Sequence, residues 1–115
     1  MVASVSLVLP VLDGAAYLER TLPEAWGWLS QQGAPSELVV VDDGSRDGTP
    51  AILERFGRAV SADEGRRFVH LVNPVNRGKG YSVRRGLRHA LGSLRLFSDA
   101  DLTYPPQSLS NVVRA

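Results

Sequence analysis

Cysteine is absent from the 115 residues. That excludes disulfides and thiolate-bound zinc within them and is compatible with a reducing compartment. Long apolar runs are also missing: none approaches the ~20 residues of a membrane helix. The apolar start, Met1 to Leu12, has neither the basic segment nor the small-residue cleavage site of a signal peptide and reads as a strand. The two histidines, His70 and His89, match no metal-ligand spacing and read as structural or surface residues. Lysine occurs once, at Lys79, against twelve arginines. With a net charge of +1, there is no global case for nucleic-acid or membrane binding, and no nucleic-acid partner is expected. No repeat, linker or low-complexity segment interrupts the chain. What is present is an ordinary globular composition, 43% hydrophobic and 22% charged, at a length suited to one small domain. The basic residues are unevenly placed: eight of thirteen lie between Arg66 and Arg95.

Four short β-rich runs alternate with amphipathic stretches. The first run is Ser4 to Leu9, closed by Pro10. Asp13 is expected to cap a helix over 14–29 whose buried side is Ala15, Leu18, Leu22, Ala25 and Leu29, with Pro23 kinking or dividing it. Trp26 and Trp28, two residues apart, cannot share a helix face, so one is expected to be exposed or covered from outside this chain. A loop at Gly33-Ala34-Pro35 leads to Leu38-Val39-Val40-Val41, continuously apolar, the pattern of a strand buried on both faces of a parallel sheet. Thr49 is the expected N-cap of a second helix, with Pro50 at its first position and Ile52, Leu53 and Phe56 inward. A polar loop over 57–66 precedes the third run, Phe68 to Val72. A third helix begins near Gly80, with Val83, Leu87, Ala90 and Leu91 inward and Gly86 allowing close helix–sheet contact. Leu94 to Phe97 is the fourth run, and Pro105-Pro106 opens a last helix. This alternation predicts an α/β fold, a Rossmann-like parallel sheet of four strands with flanking helices. Ligands of such sheets bind beyond the carboxyl ends of the strands.

Polar clusters fall at those ends: Pro10 to Asp13, Asp42 to Ser45, and Asp99-Ala100-Asp101. Asn76-Arg77-Gly78-Lys79-Gly80 opens the third helix. Asp99 and Asp101 would diverge on an extended strand but converge where the backbone turns, and two such carboxylates suit a hard divalent ion, Mg²⁺ or Mn²⁺, carrying a phosphate. A helix cap beside a solvated acid is the competing reading. Asn76 to Gly80 combines two glycines, two cations and free helix-start amides, which suits an anion as well as a plain turn. It is not a Walker A loop, because Asn73 and Gly80 stand where that motif needs Gly and Ser or Thr. Asp42 and Asp43 can bond a nucleobase or ribose, bind metal, or simply serve a turn. Asp47 and Thr49 read as helix caps.

Together these segments resemble the N-terminal half of inverting family 2 glycosyltransferases of the GT-A fold. Val41-Asp42-Asp43-Gly44-Ser45-Arg46-Asp47-Gly48-Thr49 is similar to their second-strand motif, and Asp99-Ala100-Asp101 to their DxD motif. Asn76 to Gly80 with Val83 to Gly86 resembles the subgroup acting on dolichyl or polyprenyl phosphate. The resemblance implies a single nucleotide-sugar-binding domain over residues 1–115, incomplete relative to a full catalytic domain. Pro10 and Leu12 would line the base pocket, Asp43 would contact the base and Asp42 support it. Lys79 and Arg77 would lie near the phosphates, Asp99 at the ribose or metal, and Asp101 on the metal.

The implied donor is a nucleotide-diphosphate sugar, UDP-linked by preference, and the implied acceptor in a full-length enzyme is a polyprenyl phosphate. The setting implied is cytoplasmic, including the inner membrane face. Leu12 stands where the family often has an aromatic residue, Asp13-Gly14 replaces its Asn-Glu pair, and no residue is nominated as a catalytic base. The alternative is a non-catalytic module of the same fold; in either case an open edge at the fourth strand predicts homo-oligomers. Receiver and phosphatase readings fit poorly, since the acid pair follows the second strand and Ser45 stands where the phosphatase motif needs an acid.

Overall fold

A computed structural model describes residues 5–32 and 35–103. Its elements run β1 (Val5–Val11), α1 (Leu18–Ser30), β2 (Ser36–Asp42), α2 (Thr49–Ala59), β3 (Arg66–Val72), α3 (Lys79–His89) and β4 (Leu94–Phe97). The expected helix at Pro105-Pro106, Tyr104, Ser4 and the Gly33-Ala34 part of the first loop lie outside the described residues. The four strands form one parallel sheet in the order β3-β2-β1-β4.

That order reverses direction once. The chain steps outward from β1 through β2 to β3, and α3 then carries it back across the sheet to β4 on the other side of β1. Parallel crossovers are right-handed, so a reversal of direction puts the returning helix on the opposite face. Accordingly, Leu7, Leu9, Leu38 and Val40 pack with α1 and α2 residues such as Leu22, Ala25 and Leu53. Val8, Val39 and Val41 face the other way, with Val69, Ala90 and Leu87. β2 is therefore apolar on both sides and buried along its whole length. The crevice at the reversal, between β1 and β4, is where a ligand site belongs.

Pro10 does not end β1, which continues to Val11. Residues of a parallel strand bond alternately to left and right neighbours. Val8 O accepts from Ser98 N at 3.1 Å on the β4 side, whereas Val11 O accepts from Asp43 N at 2.8 Å on the β2 side. By that alternation Pro10 faces the β4 side beyond the last β1–β4 pair, Val8 with Phe97, so its missing N–H breaks no ladder.

Several expectations are corrected. α1 starts at Leu18, not Gly14, and runs unbroken through Pro23. Asp13 is not its cap: at φ 51°, it bonds the facing loop. The helix α2 runs to Ala59, so the polar loop is shorter, and Gly48 rather than Thr49 is its N-cap, moving Pro50 to the second position. Both tryptophans are buried, Trp26 at 7% and Trp28 at 3% exposure, in one apolar cluster. Trp26 meets Phe56 and Phe68 edge-on, and the Arg66 guanidinium lies 4.6 Å from its ring centre. Leu91, expected inward, is exposed, since α3 ends before it. Gly86 packs as expected: a Cβ there would come within 2.4 Å of Val8 Cγ1.

The sequence also hides a buried acid. Glu37 sits inside β2 and is fully buried. Its Oε2 accepts from Ser6 Oγ at 2.6 Å and from Leu91 N at 2.5 Å, while Ser6 Oγ accepts from Gly92 N at 2.8 Å. Arg67 lies 3.8 Å from Oε1. The link pins the α3–β4 connection to the central strands at the end of the sheet opposite the crevice.

Candidate functional site

Four connections meet beyond the carboxyl ends of the strands. The loops after β1 and β2 are laced together. Asp13 N donates to Ser45 Oγ at 2.9 Å and Arg46 N to Asp13 Oδ1 at 2.8 Å. Gly14 N donates to Thr49 Oγ1 at 2.8 Å and Ala15 N to Asp47 Oδ2 at 3.0 Å. Asp47 also takes Thr49 N at 2.9 Å, so Asp47 and Thr49 tie two loops together at the start of α2. Asp42 turns back into its own loop, accepting Ser45 N at 2.9 Å.

Asp43 is the hub. Only 4% exposed, it accepts Asn73 Nδ2 at 2.8 Å and Arg77 N at 2.7 Å on Oδ1, and Gly78 N at 2.9 Å on Oδ2. Burial pushes its carboxyl up, but the bonds from Arg77, Asn73, Gly78 and Ser82 outweigh that and hold it below the usual carboxylate value. Asp43 therefore fixes the path of the loop into α3. Gly78 there has φ 97°, a conformation side chains resist. The first bond of α3 runs from Ser82 N to Gly78 O, so the amides of Lys79, Gly80 and Tyr81 lie ahead of the helical ladder at its positive end.

Pro10, Val11, Leu12, Asp43, Asn76, Gly78, Lys79 and Ser82 line a cleft of about 220 Å³. Leu12 is exposed on its wall. Lys79 reaches across to β4 and pairs with Asp99. After β4 the backbone turns, with Leu102 N donating to Asp99 O at 3.0 Å. Ala100 and Leu102 are buried in the core, which leaves Asp99 and Asp101 both outward. Asp101 Oδ1 accepts Thr103 Oγ1 at 2.7 Å and Thr103 N at 3.0 Å. The Thr103 hydroxyl, its amide and the charge of Lys79 hold the Asp101 carboxyl below its ordinary value.

Asp43, Lys79, Asp99, Pro10 and Leu12 are thus brought together, with Asp101 one turn on. Arg77 differs: its guanidinium lies over the Tyr81 ring at 4.7 Å, and its amide is what faces Asp43. Three residues were missed by the sequence reading. Asn73 links Asp43 to Ser82 at 2.9 Å and to Arg85 at 2.8 Å. The third, Tyr17, has its phenol pushed up by burial and by the charges of Asp101, Asp47 and Asp99, so it shares their electrostatic neighbourhood. An Asn before Pro is the one available sequence signal; nothing local marks Tyr17 or Ser82.

Among the described residues, no group of three or more His, Asp or Glu converges on a point. Two exposed carboxylates still fit a hard divalent ion, because Mg²⁺ commonly takes one or two carboxylates and completes its shell with phosphate oxygens and water. Asp101 and Asp99 each engage one oxygen in the bonds above, leaving the other to a ligand.

The relatives share this frame. Residues 6–115 match the family model described as glycosyl transferase family 2. The chain is 34% identical over 109 residues to an undecaprenyl-phosphate 4-deoxy-4-formamido-L-arabinose transferase of Shewanella sediminis, covering 95% of this chain and 32% of that protein. The Aeromonas hydrophila transferase of the same description is 32% identical over 111 residues, covering 96% and 33%. The chain thus spans about a third of the length of the curated relatives it matches. Among solved structures, a mannosyltransferase from Pyrobaculum calidifontis in complex with GDP-Man and Mn²⁺ superposes with a TM-score of 0.76 at 26% identity, covering 99% of this chain and 32% of its own. S. aureus TarS 1-349 in complex with UDP gives 0.65 at 26%, covering 96% and 31%. With its parallel sheet and the family match over nearly its whole length, this chain belongs to glycosyl transferase family 2.

Proposed function

We propose that this chain is the donor-binding part of an inverting glycosyltransferase that uses a UDP-sugar and, within a longer protein, passes the sugar to a polyprenyl phosphate. The carrying observation is the meeting of Lys79, Asp99 and the first amides of α3 at one rim of the cleft. The base would lie against Pro10 and Leu12, beside Asp43. Asp99 and Asp101 would hold Mg²⁺ or Mn²⁺ at the diphosphate. When bound, that ion neutralises charge developing on the departing nucleoside diphosphate. Lys79 exchanges its Asp99 partner for a phosphate oxygen, and the α3 amides meet the same anion. An acceptor that is already an anionic phosphate needs little activation by a base. A nucleotide donor and a lipid acceptor together support a cytoplasmic location at the inner membrane face. The outer edge of β4 has no partner strand among the described residues and supports pairing with a second copy.

Isothermal titration with UDP, UDP-glucose and GDP-mannose, with and without Mn²⁺, tests the reading. UDP and UDP-glucose should bind more tightly with Mn²⁺. Lys79→Ala should weaken that binding by roughly 10- to 100-fold, the equivalent of one charge-assisted bond. Its melting temperature should hardly move, since the Lys79–Asp99 pair is exposed and such pairs contribute under about 1 kcal/mol. Absence of metal-dependent binding to every nucleotide overturns the donor site; binding of GDP-mannose alone overturns the choice of base.

A further inference from the structure

Charge is segregated along this chain. From Gly65 to Ser98 there are eight Arg or Lys and no Asp or Glu, whereas the rest holds five and twelve. The fold turns that segregation into a surface. Tyr81, Arg84, Arg85 and Arg88 are spaced three and four apart along α3, one outer stripe. Arg77 extends it toward the cleft by lying over Tyr81. Tyr81 and the three arginines line a shallow groove of about 150 Å³. Arg85 is braced by Val72 O at 2.7 Å and Asn73 Oδ1 at 2.8 Å.

The other face of the sheet is built differently. There Arg20 pairs with Glu24, Arg55 with Glu19 and Arg58 with Glu54. None of the described ion pairs involves Arg77, Arg84, Arg85 or Arg88. Like charges at this spacing repel, so the stripe costs the isolated domain stability that a polyanion would return. Tyr81, in the stripe, is an exposed large hydrophobic, as is Val72, whose carbonyl Arg85 bonds.

We propose that the outer face of α3 docks on an anionic lipid bilayer. Charge complementarity calls for a polyanion. The exposed tyrosine and the exposed valine beside Arg85 suit a surface with an apolar layer beneath its charges, into which arginine stems can extend while the heads stay at phosphate level. The choice of a bilayer rests on the lipid-linked acceptor proposed above. The arrangement also has a geometric consequence. The helix begins at Lys79 on the rim of the cleft, so a bilayer under α3 lies within one helix length, about 16 Å, of the proposed diphosphate site.

The test is sedimentation of the chain with phosphatidylcholine vesicles, with and without phosphatidylglycerol, in the absence of nucleotide. Binding is expected only with phosphatidylglycerol and should fade as salt rises. Arg84→Gln/Arg88→Gln, which removes no described contact, should weaken binding by roughly 30-fold, two surface charges' worth. Arg55→Gln/Arg58→Gln on the opposite face should leave it nearly unchanged. Equal binding to neutral vesicles, an unaffected Arg84/Arg88 variant, or equally tight binding to duplex DNA at the same salt overturns the proposal. Titration of the same Arg84/Arg88 variant with UDP and Mn²⁺ separates the two readings: retained nucleotide binding with no vesicle binding by the parent sinks the membrane face alone.

Discussion

Asp43→Asn is the most informative substitution, because it keeps the shape of the side chain while removing one acceptor and the charge. Three N–H groups point at the Asp43 carboxylate, two at Oδ1 and one at Oδ2. Asparagine has a single acceptor oxygen. If that oxygen serves Asn73 and Arg77, the new amide group opposes Gly78 N, donor against donor; flipped, it opposes the other two. Bonds to a charged group contribute ~1.5–3 kcal/mol each, and an unsatisfied buried donor costs ~1–3 kcal/mol, so the variant should lose about 3 kcal/mol.

For a chain of this size that is a fall in melting temperature of roughly 12 °C, and urea unfolding should give the same loss. Amide exchange at Arg77 and Gly78 should quicken even under native conditions. The pH dependence has a defined sign. The folded-state pKa of Asp43 lies below its ordinary 3.8, so its stabilisation is complete above that value and is lost as pH falls through the folded pKa. The gap between parent and variant should therefore narrow in acid. A variant within about 0.5 kcal/mol of the parent at neutral pH, the scatter typical of inconsequential surface changes, refutes the hub.

Two other measurements bear on the frame. Gly86→Ala places a methyl 2.4 Å from Val8 Cγ1 and 3.1 Å from Val41 Cγ2. Overpacking of ~1–3 kcal/mol should outweigh the ~1 kcal/mol helix-propensity gain, so a raised urea midpoint contradicts the close packing of α3. Light scattering across concentrations should show self-association through the β4 edge, and a monomer throughout removes that proposal.

Periodicity was enough for the strand–helix alternation. The apolar run at Leu38 to Val41 gave the central strand, and the alternation around it gave the parallel sheet, because those patterns depend only on the local repeat of the chain. The same patterns placed Asp43 after β2, Lys79 at the start of α3 and Asp99 after β4, and the wording of those segments gave the family. Local pattern failed where distant segments compete for the same group. Asp13 looks like a cap, but the amide of Arg46 takes its carboxylate. Glu37 looks too polar for the middle of a sheet, but Ser6 and Leu91 satisfy it there. Trp26 and Trp28 cannot share a helix face, yet both are buried in the core.

By itself, then, the sequence determined the order of elements, their amphipathic faces and which loops carry charge, since each is a matter of neighbours along the chain. Only the tertiary structure decided that the chain turns back at β3 and inserts β4 beside β1, which sets Lys79 against Asp99 across twenty residues. It also decided that Asp43 holds the start of α3, while among the described residues the arginines of that helix have no acidic partners. Those outcomes depend on which partners the sheet brings within bonding distance, and no window of sequence contains them.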